Sequence, residues 1–399
     1  MAMSLHEKMV SDSLAIYVHI PFCTKHCAYC DFNTYVEKAQ SRIVDDTVEA
    51  ICADIRQTAQ SLNAEQRSRS IGSVFFGGGT PTFLSGEQIT RILRTIRNSF
   101  VVQNDAEISS EANPTSSDSE KFEQMREAGF NRLSVGVQAF QDPILIAMDR
   151  FHTASEAEHA LQTARTAGFD NLNLDLMFGL PKQHLSDWEE SLQRALALHT
   201  EHLSLYALTL EAGTRFERLY AGGKLELPSE DAETEMYERA IEILTSAGYQ
   251  HYEVSNFALE GYQCRHNRVY WENREYIGFG AGAVSYLDGR RWKRERLPAQ
   301  YMRKVREGLD LSVESETLEP EGTLGETMML GLRLREGISL SAVQTRFGIE
   351  PLSYFAESIA DLERRGWLVR DEDTLKLTHA GLLLANEAVS AFLADERVE

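Results

Sequence analysis

Cys23-Thr24-Lys25-His26-Cys27-Ala28-Tyr29-Cys30 gathers three cysteines into one short loop. A [4Fe–4S] cube has four irons, each normally held by a thiolate. Three closely spaced cysteines hold three corners and leave one iron open to bind a small molecule and pass it an electron. Zinc sites instead use paired C-x₂₋₄-C units or add downstream histidines. Ferredoxin spacings supply a fourth cysteine. Here the position two past Cys30, where a fourth thiolate would be sought, is Phe32. The competing reading of the loop is a zinc knuckle or a set of buried thiols.

Bulk composition narrows the field. The chain has 399 residues, 43% hydrophobic and 25% charged, enough for two domains with a large core. Five cysteines cannot all pair, and three belong to one loop, which fits a reducing, cytoplasmic compartment. Cys52 lies in a helical pattern and reads as a small core residue. The formal net charge of −21 repels phosphate backbones, and no basic stripe offsets it, so nucleic acid is not an expected partner. Met1 to Ser13 lacks the apolar stretch of a signal peptide, and no run of 18 apolar residues exists to span a bilayer. Peripheral membrane contact stays open.

Working outward from the loop, β-branched and aromatic runs alternate with long amphipathic stretches. Strands are expected at Leu14–Ile20, Ile71–Gly77, Ala106–Asn113, Arg132–Gln138, Asn171–Gly179 and His202–Leu210. Helical patterns fill the gaps, as at Gln88–Asn98, Asp118–Ala128 and Ser155–Ala167. Ala-Gly pairs at 128–129, 167–168 and 247–248 read as helix stops. Six β-α units in series predict an α/β fold, a partial (β/α)₆ TIM-like barrel. Catalytic groups in such barrels sit at the carboxyl ends of strands. There stand Cys23, the triplet Gly77-Gly78-Gly79, Glu111 and Gln138, with Asp175 inside the fifth strand.

From about 248 to 295 the pattern turns short and aromatic, an irregular β extension of a first domain at 1–310. Residues 311–399 read as a second, winged-helix-like domain: helix Thr323–Leu334, short helix Ser339–Phe347, a third apolar face from Leu352, Phe355, Ile359 and Leu362, a hairpin around Asp371-Glu372-Asp373, and a closing helix His379–Leu393. That segment holds 8 Lys+Arg against 17 Asp+Glu, which favours a lid or docking surface over DNA binding.

The cysteine spacing and its surroundings resemble the radical SAM superfamily. The resemblance implies S-adenosylmethionine (SAM) chelating the open iron, and an electron from the cluster splitting its sulfonium to methionine and a 5′-deoxyadenosyl radical. Gly77-Gly78-Gly79-Thr80-Pro81, Glu111-Ala-Asn-Pro, Gly136-Val-Gln138, Arg150-Phe-His and Asp175-Leu-Met-Phe-Gly-Leu-Pro181 resemble the branch around oxygen-independent coproporphyrinogen oxidase. By that resemblance Gly78, Gly79 and Thr80 contact the methionine end of SAM. Glu111, Gln138, Arg150 and Asp175 bind its polar groups, and Tyr17 and Tyr29 are further contacts. Chemistry agrees, since these side chains supply acceptors for an ammonium and ribose hydroxyls and a cation for a carboxylate.

A second stretch, Cys264-Arg265-His266-Asn267-Arg268-Val269-Tyr270-Trp271, combines a candidate haem-iron imidazole with large flat aromatics. By itself it reads as a core histidine beside buried aromatics. Its His-Asn-x-x-Tyr-Trp string resembles the radical SAM haem chaperones of the same branch. Phe32 fits them too, where oxidases of the branch carry another cysteine and a longer segment before the first strand. That resemblance implies haem as carried ligand, with His266 the first ligand candidate, Cys264 a second contributor, and Tyr270 and Trp271 packing on the macrocycle. It also implies respiratory or other haem proteins as acceptors, an electron donor for the cluster, and the option of a dimer. His19 is expected to border the SAM pocket. Two other readings compete: anaerobic decarboxylation of coproporphyrinogen III, opposed by Phe32 and by a strand that begins near Leu14, and tRNA modification, opposed by the charge.

Overall fold

The structure, a computed structural model, describes residues 13–393. The expected first strand is β1, Leu14–Ile20. It continues through β2 (Ile71–Gly78), β3 (Val102–Ala112), β4 (Arg132–Gln138), β5 (Leu172–Phe178) and β6 (His202–Ala207). After β6 come β7 (Gln250–Glu253), β8 (Asn256–Ala258), β9 (Tyr276–Phe279), β10 (Val284–Leu287), β11 (Arg290–Arg294) and β12 (Ser312–Thr317). All twelve form one sheet, in the order β12-β11-β10-β9-β1-β2-β3-β4-β5-β6-β8-β7.

The six central strands β1 to β6 run parallel, each paired with the next in sequence. Their near-continuous burial, as in Leu14–Ile20, is what a parallel strand covered on both faces requires. Helices α1 (Arg42–Ser61), α2 (Gly86–Ser99), α3 (Ser119–Ala128), α4 (Ala154–Thr166), α5 (Leu185–Ala197) and α6 (Glu230–Ser246) follow the strands in turn. The apolar stripes of α1 (Val44, Val48, Ile51, Ile55) and α2 (Ile89, Ile92, Leu93, Ile96) are buried in the main core. Capping boxes at Ser85/Gln88 and Thr153/Glu156 start α2 and α4, and Gly129 at φ 103° stops α3.

The sheet does not close. The free edge of β6 is taken by antiparallel β8, and the free edge of β1 by β9, a seventh parallel strand. Sequence placed β9 within the irregular extension, because four residues with Gly278 among them and Gly280 behind carry little periodicity. Sequence also assigned 312–317 to the second unit. The structure makes it the edge strand β12, paired with β11. Its residues Ser-Val-Glu-Ser-Glu-Thr are mostly exposed and lack an apolar alternation. Cross-strand pairs Arg291–Glu316 and Lys293–Glu314 set its register instead.

Residues beyond β12 build a second apolar cluster that includes Leu324, Met328, Ile359, Leu362, Leu375 and Phe392. Helices Pro320–Gly331, Leu340–Phe347 and Ala356–Arg364 precede a hairpin of Leu368–Asp371 with Thr374–Leu377, flanked by the short strand Ile338–Ser339. The expected closing helix is two short ones, His379–Leu383 and Ala385–Ser390, separated at Leu384. A buried polar lock ties α1 to the β extension. Asp54 forms an ion pair with Arg294 at 3.1 Å and accepts from the Tyr301 hydroxyl at 2.8 Å and from Thr58 at 3.1 Å. Among the described residues no helix is long and apolar enough to cross a membrane.

Candidate functional site

The carboxyl ends of β1 to β6 surround a cavity of about 540 Å³. Cys23, Cys27 and Cys30 all border it, half-buried and free of disulfides. Two backbone bonds hold their loop, Ala28 N–H to Met148 O at 3.0 Å and Phe216 N–H to Ala28 O at 2.9 Å. Burial raises the Cys23 thiol pKa and pushes that of Cys30 up to about 12. Bare thiolates are therefore disfavoured, and a cationic cluster is the kind of ligand that ionises them. Among the described residues no three His, Cys, Asp or Glu side chains converge as a single metal ion would require. Separate thiols around a cavity suit a cube, where each sulfur takes its own iron, better than tetrahedral zinc.

The glycine loop lies against the start of the cysteine loop. Gly79 N–H donates to Ile20 O at 2.8 Å and Thr80 N–H to Phe22 O at 2.9 Å. Gly78 has φ 109°, and a Cβ there would stand 2.5 Å from the His19 ring. Its amide donates to Glu111 Oε2 at 3.2 Å. Thr80 Oγ1 is 3.5 Å from Cys23 Sγ.

Three ionisable groups sit deep in the same cavity. Burial, with Asp175 nearby, pushes the Glu111 carboxyl up to about 8. Burial also raises Asp175, which accepts from Ser134 Oγ at 3.0 Å and Asn173 Nδ2 at 2.7 Å. Arg150 donates to Gly136 O at 2.5 Å and to Cys27 Sγ at 3.6 Å. Tyr17, Tyr29 and Gln138 also line it, with Gln138 in a left-handed conformation at φ 70°. The Tyr17 hydroxyl is 3.0 Å from His19 Nδ1, whose Nε2 meets Asn33 O at 3.0 Å. Tyr17, Tyr29, Gly78, Gly79, Thr80, Glu111, Gln138, Arg150 and Asp175 thus border this one cavity, whereas His19, expected at the edge of the same pocket, stands behind Tyr17 and does not line it.

The second stretch divides. It forms helix α7, Arg265–Trp271. His266 and Tyr270 border the cavity; Cys264 and Trp271 do not. Both His266 nitrogens are engaged, Nδ1 with Ser73 Oγ at 2.9 Å and Nε2 with the Tyr270 hydroxyl at 3.0 Å. Its ring stacks on Phe75, and burial lowers its pKa to about 3, so it is neutral. Cys264 is fully buried and donates to Glu107 Oε1 at 3.4 Å, outside the cavity lining. Trp271 lies under the Arg333 guanidinium, 4.8 Å from its ring centre, facing the C-terminal unit. Its neighbours Glu272 and Asn273 offer their carbonyls to Arg346, at 3.2 and 2.7 Å.

Sequence reading missed the cavity floor of Arg132, Ser134, Asn173 and Ser204. The signal was available: polar residues recur at alternate positions 132 and 134, 173 and 175, and 202 and 204 in otherwise apolar strands.

An open parallel barrel with three free cysteines, a glycine loop and strand-end polar groups around one cavity defines a radical SAM protein. Residues 17–195 match the radical SAM superfamily and residues 318–384 the HemN C-terminal domain. The chain is 38% identical over 380 residues to heme chaperone HemW of Bacillus subtilis, covering 95% of this chain and 99% of that protein. Against heme chaperone HemW of Escherichia coli it is 35% identical, covering 96% and 98%. The chain belongs to the HemW family. The solved coproporphyrinogen III oxidase HemN of Escherichia coli has the same fold, with a TM-score of 0.83, 26% identity, and coverage of 96% of this chain and 92% of that one.

Proposed function

We propose that this protein is a haem chaperone with a radical SAM core, which holds a [4Fe–4S] cluster and SAM and passes haem to acceptor proteins. The observation that carries the reading is that one cavity is bordered both by the cysteine loop and by His266 and Tyr270. Cys23, Cys27 and Cys30 hold the cluster, which when bound supplies one electron at a time. Arg150 faces the SAM carboxylate, Glu111 accepts from its ammonium, and Asp175 and Gln138 accept from the ribose. Gly78, Gly79 and Thr80 allow the methionine end to approach the backbone. At about 540 Å³ the cavity suits one nucleoside-sized ligand. His266 is the iron ligand in this reading. Its neutral imidazole is the ligating form, and Nε2 becomes available when the Tyr270 hydroxyl swings aside. Cys264 and Trp271 frame the helix instead of touching haem.

The test uses anaerobically reconstituted, haem-loaded protein mixed with an apo-acceptor. Haem transfer that depends on SAM, is lost in His266→Ala and is uncoupled from SAM in Cys27→Ala supports the reading. Equal transfer by all three proteins would sink it. The HemN-like fold favours one second reading, oxidative decarboxylation of coproporphyrinogen III, and formation of that product by the same protein would establish it instead.

A further inference from the structure

Helix α7 carries His266 and Tyr270 but has no cap of its own. Cys264 stands at its N-cap, and the side chain makes no capping bond to the helix amides. The cap arrives from another strand. Glu107, buried on β3, accepts the Arg265 amide at 2.9 Å, the His266 amide at 3.1 Å and the Cys264 thiol at 3.4 Å. Three donors thus converge on one carboxylate, and charge-assisted bonds of this kind are about twice as strong as neutral ones.

A buried carboxylate needs a counter-charge, and Arg132 stands ready to provide it. Arg132 is 2% exposed, and its Nε has no hydrogen-bond partner among the described residues. Burial works to lower its pKa, but Cys264, Glu107, Tyr252 and Asp175 around it raise it on balance. Arg132 itself borders the cavity. Glu107 holds the His266 helix. Asp175 borders the cavity within the residue set expected to bind SAM.

We infer that Glu107 is the positioning residue of helix α7, fixing His266 and Tyr270 in the cavity wall. Glu107 itself does not border the cavity. Its role is exerted through the helix, and glutamine cannot reproduce it, because the amide nitrogen would turn a donor toward a backbone N–H.

Hydrogen exchange on the full chain tests this without any haem. In Glu107→Gln, amides of the peptide spanning 264–271 exchange about ten- to a hundredfold faster, the loss expected for one charged hydrogen bond, while peptides of α1 and α2 keep their wild-type rates. S-adenosylhomocysteine slows exchange of that peptide in the wild type and not in the variant. A second arm rests on the haem-chaperone reading: Glu107→Gln binds S-adenosylhomocysteine normally but shows a shifted Soret band and weaker haem binding. If the wild type binds no haem, that reading fails while the exchange measurement still decides the inference. Unchanged exchange of 264–271 in Glu107→Gln overturns it. Should the glutamine variant not fold, Glu107→Asp, which keeps the charge but withdraws the oxygens by one methylene, is expected to show the same local loss, and wild-type exchange there overturns the inference equally.

Discussion

Replacing Glu111 by Gln is expected to flatten the pH dependence of SAM binding. Burial and the nearby Asp175 carboxyl hold Glu111 at about 8. At pH 7 only about a tenth of the protein then carries a Glu111 carboxylate, and at pH 9 about nine tenths does. A ligand that needs that carboxylate gains roughly ninefold in affinity across the interval, and binding at pH 7 takes up one carboxylate by releasing about one proton. SAM's own amino group titrates in the same range, so the quantity to follow is the ratio of wild-type to Glu111→Gln affinity, from anaerobic calorimetry at pH 6 to 9. That ratio should climb with pH and level off above 8. Stability moves the opposite way. A carboxyl raised from 4.5 to about 8 keeps its proton in the folded state, so its contribution is full below 4.5 and fades as pH rises toward 8. Ligand-free Glu111→Gln should therefore melt above the wild type at pH 9 and close to it at pH 4. A pH-independent affinity ratio would refute the placement of this carboxyl beside the SAM ammonium.

Other consequences follow from the same geometry. Arg294→Met removes the only cation paired with buried Asp54 among the described residues, leaving it the Tyr301 and Thr58 hydroxyls, which should cost about 3–5 kcal/mol in urea unfolding. Gly78→Ala forces a side chain into φ 109° and against His19; SAM binding should fall below detection while the folded state loses roughly 1–2 kcal/mol. Trp271→Ala should cost about 1–2 kcal/mol at the contact with the C-terminal unit, and leave haem absorbance as in wild type, whereas His266→Ala should abolish the haem Soret band and also lower the melting temperature, because it empties a buried position and strips Ser73 and Tyr270 of their partner.

Sequence carried the site better than it carried the edges of the fold. The cysteine loop, Gly78 to Thr80, Glu111 and Gln138 were legible because barrel strands end where chemistry is placed, and strand ends show as polar residues after apolar runs; Asp175, inside its strand, was legible through the resemblance of its motif. β9 and β12 were not legible. One is too short for periodicity, and the other is fixed by cross-strand charges that only a partner strand reveals. The sequence also fused two roles into one string. His266 and Tyr270, four apart, share the helix face toward the cavity, while Cys264 and Trp271 point elsewhere. Glu107 was hidden for a related reason. Its partners lie some 160 residues away in the chain, and no local pattern announces a cap supplied from another strand.

The central claim is a cluster anchored by three protein thiolates with one iron left for SAM. Mössbauer spectra of anaerobically reconstituted protein, recorded with and without SAM, test it most directly. The account predicts that one iron site of the cube changes its isomer shift on SAM addition while the others stay put. Identical spectra with and without SAM, or protein that takes up tetrahedral zinc and no iron, would contradict it.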